Sequence, residues 1–154
     1  MKDKGEYAML GEIPWLTWKS KSAQAKEQEE YEQWAFPYGE EHREKVEVLL
    51  KEYFPKENKQ VALVAFLTCK ELYSRSMATC DTYENALKRM KRDMRRYRTV
   101  IKKKQMPLYS ALAIADARIT PELIYPPRER IMELAAEFEA SPEEKRKFPY
   151  NLFS

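Results

Sequence analysis

Glycine is almost missing from this chain, and where it is missing decides what the chain can fold into. Only Gly5, Gly11 and Gly39 occur, so no glycine is available to a tight turn anywhere after residue 39. Two-residue β-hairpin turns need positive φ and lean on Asn-Gly, Asp-Gly or similar pairs, none of which exists here. Sustained alternation of apolar and polar residues is absent as well. These features predict an all-α fold.

Nine prolines, at 14, 37, 55, 107, 121, 126, 127, 142 and 149, supply the punctuation instead. Proline fits the first turn of a helix and breaks its interior, so the helices are expected between these positions. Ser22–Trp34, rich in Ala, Glu and Gln, predicts the first helix. Glu40–Phe54 predicts a second, with Val46, Leu49, Leu50 and Tyr53 on one face and Glu40 and Glu41 at its positive end. Lys56–Met106 has neither proline nor glycine, and as one helix it would be about 75 Å long, too long for a compact chain of this size.

A break is therefore expected at residues 79–82, where Asp81 and Glu84 have capping-box spacing. Before it, residues 59–78 are apolar nearly all round through Val61, Leu63, Val64, Phe66, Leu67, Leu72 and Met77, as in the central helix of a bundle. After it, a basic helix is expected over 82–104. Leu108–Arg118 and Pro127–Phe138 complete the set, and Ser141-Pro142-Glu143-Glu144 has the pattern of a helix start with proline at its first position. The expectation is an irregular bundle of about five to seven helices forming a single domain over 1–154. An aromatic-rich extended segment (1–20) and an aromatic tail (148–154) flank it.

The 154 residues suffice for a core without a metal or disulfide. Cys69 and Cys80, the only cysteines, would stand about 16 Å apart on one helix, beyond the roughly 7 Å a disulfide tolerates. Both read as buried thiols. Met1–Tyr7 is charged with no apolar stretch behind it, and the longest apolar run, Val61–Leu67, is far too short to span a bilayer. A cytoplasmic protein without membrane contact is expected.

Residues 88–104, KRMKRDMRRYRTVIKKK, hold ten basic residues and one acid. That is a charge of +9 in a chain of net +3. Tyr83, Leu87, Met90, Met94, Tyr97 and Ile101 recur three and four residues apart, so one face packs. Lys88, Arg89, Lys91, Arg92, Arg95, Arg96 and Arg98 cover the rest and are the candidate anion-binding residues. A row of this kind suits nucleic-acid phosphates, which arginine grips with two hydrogen bonds. Acids of the Glu27–Glu32 stretch or of Glu40–Phe54 could equally neutralise it, and no recognised nucleic-acid-binding motif accompanies it. The second candidate surface is Trp15, Leu16 and Trp18, residue types enriched at interface hot spots, though such a segment also serves to cover a bundle.

Catalytic chemistry finds little support. His42 is the only histidine, which excludes paired-His motifs and leaves any His-based zinc site or Ser-His-Asp triad to that one ring. Glycines at 5, 11 and 39 alone cannot form a P-loop or a dinucleotide fingerprint. Glu40, Glu41, Glu44 and Glu47 could form a divalent-metal face of a hydrolase, but no second acidic helix matches it. The expectation is a non-enzymatic protein-interaction or regulatory module with no cofactor, binding another protein or itself. Polyanion binding through 88–104 and a carboxylate-metal hydrolase are the alternatives.

Overall fold

The structure, a computed structural model, describes residues 21–145. Helix makes up 74% of them, and no strand occurs among the described residues. Among the described residues six α-helices follow in order: α1 (Lys21–Ala35), α2 (Glu40–Tyr53), α3 (Lys59–Thr79), α4 (Tyr83–Met94), α5 (Met106–Ala117) and α6 (Arg128–Ala140). Two 3-10 turns, Arg95–Tyr97 and Lys103–Gln105, lie between α4 and α5. The fold is an irregular all-α bundle. Trp15, Leu16, Trp18 and the tail from 148 lie outside the described residues.

Each boundary has a local cause. Pro37 follows α1, and Gly39 then takes φ +81° before α2. No atom lies within 4 Å of where a Cβ would stand on Gly39, so the backbone angle and not space calls for glycine there. Pro55 follows the end of α2. Asn58 opens α3, its Oδ1 accepting the N–H groups of Gln60 (2.8 Å) and Val61 (3.2 Å). Thr82, not Asp81, caps α4: its hydroxyl accepts the N–H of Asn85 at 3.1 Å. Both side chains are competent caps, and the chain path brings the Thr82 hydroxyl within reach of the N–H of Asn85, the third helical residue. Pro107 sits in the first turn of α5.

The described residues cluster in two compact units. The first holds residues through Leu67 together with Ile119–Ile124. Its interior includes Tyr31, Phe36, Val46, Leu50, Phe54 and Phe66. His42 is fully buried there, its ring edge-on to Phe36 with centroids 5.5 Å apart. Arg43 stacks over Phe36 and pairs with Glu32 of α1 at 3.3 Å. Leu123 adopts φ +57°, costly for a side chain with a Cβ. Its side chain is buried and its carbonyl accepts from Lys45 at 3.4 Å.

The second unit holds Thr68–Arg118 and the described residues from Tyr125. Here α5 packs against α6 and meets α4 where the Ser110 hydroxyl, donating to the Met106 carbonyl at 2.7 Å, also lies 3.2 Å from Met94 Sδ. α5 is enclosed on all sides, every residue from Tyr109 to Asp116 being buried. Conversely α3 is less uniformly enclosed than its sequence predicts, with Val61 and Met77 exposed.

Two further expectations need correction. The basic helix expected over 82–104 is α-helical only to Met94. Beyond it, Arg92, Arg95, Arg96 and Arg98 place like charges three and four residues apart, and Thr99-Val100-Ile101 is a run of β-branched residues. The chain instead turns, the Tyr97 carbonyl accepting the N–H groups of Val100 and Ile101, which buries Ile101 beyond the turn. The helix start expected at Ser141–Glu144 does not form. Ser141 closes α6 instead, its hydroxyl donating to the Phe138 carbonyl at 2.7 Å, and the chain leaves in an extended conformation.

Candidate interaction surface

Helical periodicity turns Ala86, Leu87, Met90 and Met94 of α4 inward, where all four are buried. The cations are left on the flanks and outer face, and the geometry shows what each of them holds. Lys88 pairs with Glu84 one turn back (3.4 Å). Arg89 faces Asp93 at 3.8 Å and donates to the Thr79 hydroxyl at 2.8 Å. Arg92 pairs with Asp93 (3.0 Å) and Glu144 (3.3 Å), and Arg95 with Glu143 (3.2 Å). Lys91 binds main chain instead of a side chain, donating to the carbonyls of Glu139 and of Ser141, the latter at 2.6 Å.

Five of the seven candidate cations therefore have partners, and those from outside the helix and its flanking turn come chiefly from residues 139–144. The sequence marks that segment only as a capping pattern. Glu32 and Glu47, from the stretches expected to neutralise the run, are engaged in their own unit with Arg43 and Lys59. Arg96 and Arg98 are exposed with no acid in ion-pair range among the described residues. They line a concavity of about 610 Å³ together with Arg92, Arg95, Glu143 and Glu144.

One polar cluster escaped the sequence reading. Lys70 of α3 and Asp116 of α5 form an ion pair of 2.7 Å, with side chains 9% and 0% exposed. The Tyr125 hydroxyl donates to the other Asp116 oxygen at 2.5 Å. Burial and the Asp116 carboxylate push the Tyr125 phenol far above its ordinary range, which keeps it a donor. Both carboxylate oxygens are thus held, as a buried charge requires. The available signal was a single acid inside the apolar run ALAIADA and a single lysine inside FLTCKEL, positions a core-facing charge occupies only with a partner.

Both cysteines are free thiols. Cys69 is completely buried and its thiol is pushed well above the usual range by that burial, against the opposing effect of the Ser110 hydroxyl, so it is a poor nucleophile. Of the Glu40–Glu47 face, Glu47 is taken by Arg43 and Lys59. No group of three or more His, Cys, Asp or Glu side chains among the described residues is placed to hold a metal ion. No helix among them is long and apolar enough to cross a membrane. No protein-family model, no curated protein and no solved structure matches the chain.

Proposed function

We propose that this chain is a non-enzymatic interaction module that binds another protein through the basic face of α4 and the turn after it. The observation that supports this reading is what the cations already hold: carboxylates and main-chain carbonyls, the groups of a polypeptide. A phosphate backbone would instead call for a row of cationic heads standing free in water. The free thiols at Cys69 and Cys80 fit a reducing, cytoplasmic setting for such a module. Trp15, Leu16 and Trp18 would offer it a second, apolar contact.

Polyanion binding is the second reading, favoured by the exposed Arg96, Arg98 and Lys102–Lys104. Titrating the intact chain with duplex DNA and with poly-glutamate, at about 50 mM and about 200 mM salt, separates the two. Poly-glutamate binding without a duplex shift is the expected result. Duplex binding that weakens with a logarithmic salt slope near 0.9 per phosphate contact would overturn it.

A further inference from the structure

We propose that the basic face takes an extended acidic segment of a partner protein in the register that residues 141–144 now occupy, and that these residues are its resident competitor. The proposal rests on the interaction-module reading and names the chemistry of the partner.

Four contacts define the register. Lys91 donates to the Ser141 carbonyl at 2.6 Å, beside the Glu139 carbonyl that it also meets in the last turn of α6. The main-chain N–H of Glu144 donates to the Lys88 carbonyl at 3.2 Å, and the neighbouring acids 143 and 144 meet Arg95 and Arg92. Pro142 favours an extended backbone at the residue before it, and Ser141 has φ −67° and ψ 133°. The face thus supplies a donor for a carbonyl, an acceptor for an N–H and two receptors for carboxylates. A sugar-phosphate backbone could satisfy the arginines, but the backbone itself has no N–H for the Lys88 carbonyl. The fit is to polypeptide.

The resident segment leaves the surface incompletely neutralised. It brings two acids to a concavity whose wall also carries Arg96 and Arg98. Its ion pairs are half open to water, Glu143 being 41% and Glu144 38% exposed, and pairs of that exposure hold weakly. A partner segment with the same extended start and more than two acids would engage the cations that the resident segment leaves over, and displace it. Because the resident occupies the face, the affinity seen from outside is reduced by the fraction of chains in which the face is open.

The test uses the full chain and a labelled synthetic peptide, Glu-Ala-Ser-Pro-Glu-Glu-Glu-Glu, followed by fluorescence anisotropy. Glu143→Gln with Glu144→Gln weakens the resident and should tighten peptide binding about tenfold over the parent. Adding Arg95→Gln and Arg96→Gln to that variant should abolish the gain. Glu143→Gln alone should move binding in the same direction by less, and a melting curve on each variant verifies the fold. Equal affinity of parent and double-glutamine variant would overturn the competitor and its register, while leaving the broader reading intact if poly-glutamate still binds. Duplex DNA binding the double-glutamine variant as tightly as the peptide does would overturn both.

Discussion

Helices α4 and α5 are both twelve residues long and belong to the same compact unit, yet they do opposite work. Nine residues of α5 are buried, against four of α4. In α5 the buried Ser110 hydroxyl and Asp116 carboxylate are both hydrogen-bonded, which offsets their lost hydration. In α4 the polar side chains stay near water, where their ion pairs contribute little and can be exchanged. Burial makes one helix the source of stability. Exposure leaves the other's charges open to solvent.

The sharpest way to break this contrast is Asp116→Ala. It leaves the Lys70 ammonium in the interior without its carboxylate, and should cost about 3–5 kcal/mol in urea unfolding. Replacing both partners, Lys70→Met with Asp116→Leu, should recover much of that loss, since the paired charges give little net stability over a well-packed apolar pair. A loss below about 1 kcal/mol for the single change would mean that the pair is solvated and the contrast with α4 is false.

Leu112→Ala comes next. Leu112 is fully buried in α5, and truncation should cost about 2–5 kcal/mol through lost transfer energy and the cavity left behind. An unchanged urea midpoint would remove α5 from the core. Thr82→Ala takes one hydrogen bond from the start of α4 and should cost about 1 kcal/mol. Asp81→Ala, made alongside, should cost less, and the reverse order would restore Asp81 as the cap.

The smallest effect is expected where the charge is greatest. Neutralising Arg92, Arg95 and Arg96 together to glutamine should change stability by less than about 1 kcal/mol, because the partners are partly exposed. The same variant should lose poly-glutamate binding. Unfolding at a much lower urea concentration would show that α4 is a structural element like α5 and blur the division between them.

The helices were legible because their causes are local. The spans expected at 22–34, 40–54, 59–78 and 127–138 are the observed α1, α2, α3 and α6 to within two residues at either end. Proline lacks a main-chain donor wherever the chain goes, and helix propensity acts within one turn. Where local signals compete, the sequence is ambiguous. Asp81 and Thr82 are neighbouring cap residues, and only the path of the chain chooses between them. The spacing of Met94, Tyr97 and Ile101 extends the packed seam, but it says nothing of whether the backbone stays helical against adjacent arginines. Ser141-Pro142-Glu143-Glu144 has a helix-start pattern, yet its acids pair with Arg92 and Arg95 and the segment stays outside any helix.

From the sequence by itself came the all-α class, the breaks at the prolines and at residues 79–82, the free state of two distant cysteines and the concentration of charge between residues 88 and 104. Each follows from covalent geometry, from propensity or from simple counting, and none needs a neighbour. Only the tertiary structure decided that α5 is enclosed on every side, that Lys70 meets Asp116 across 46 residues of chain, and that Glu143 and Glu144 answer the basic face. Those outcomes depend on which surfaces exclude water together. Pairing of charges distant in sequence is set by the packing that brings them within a few ångströms, and no local pattern records it.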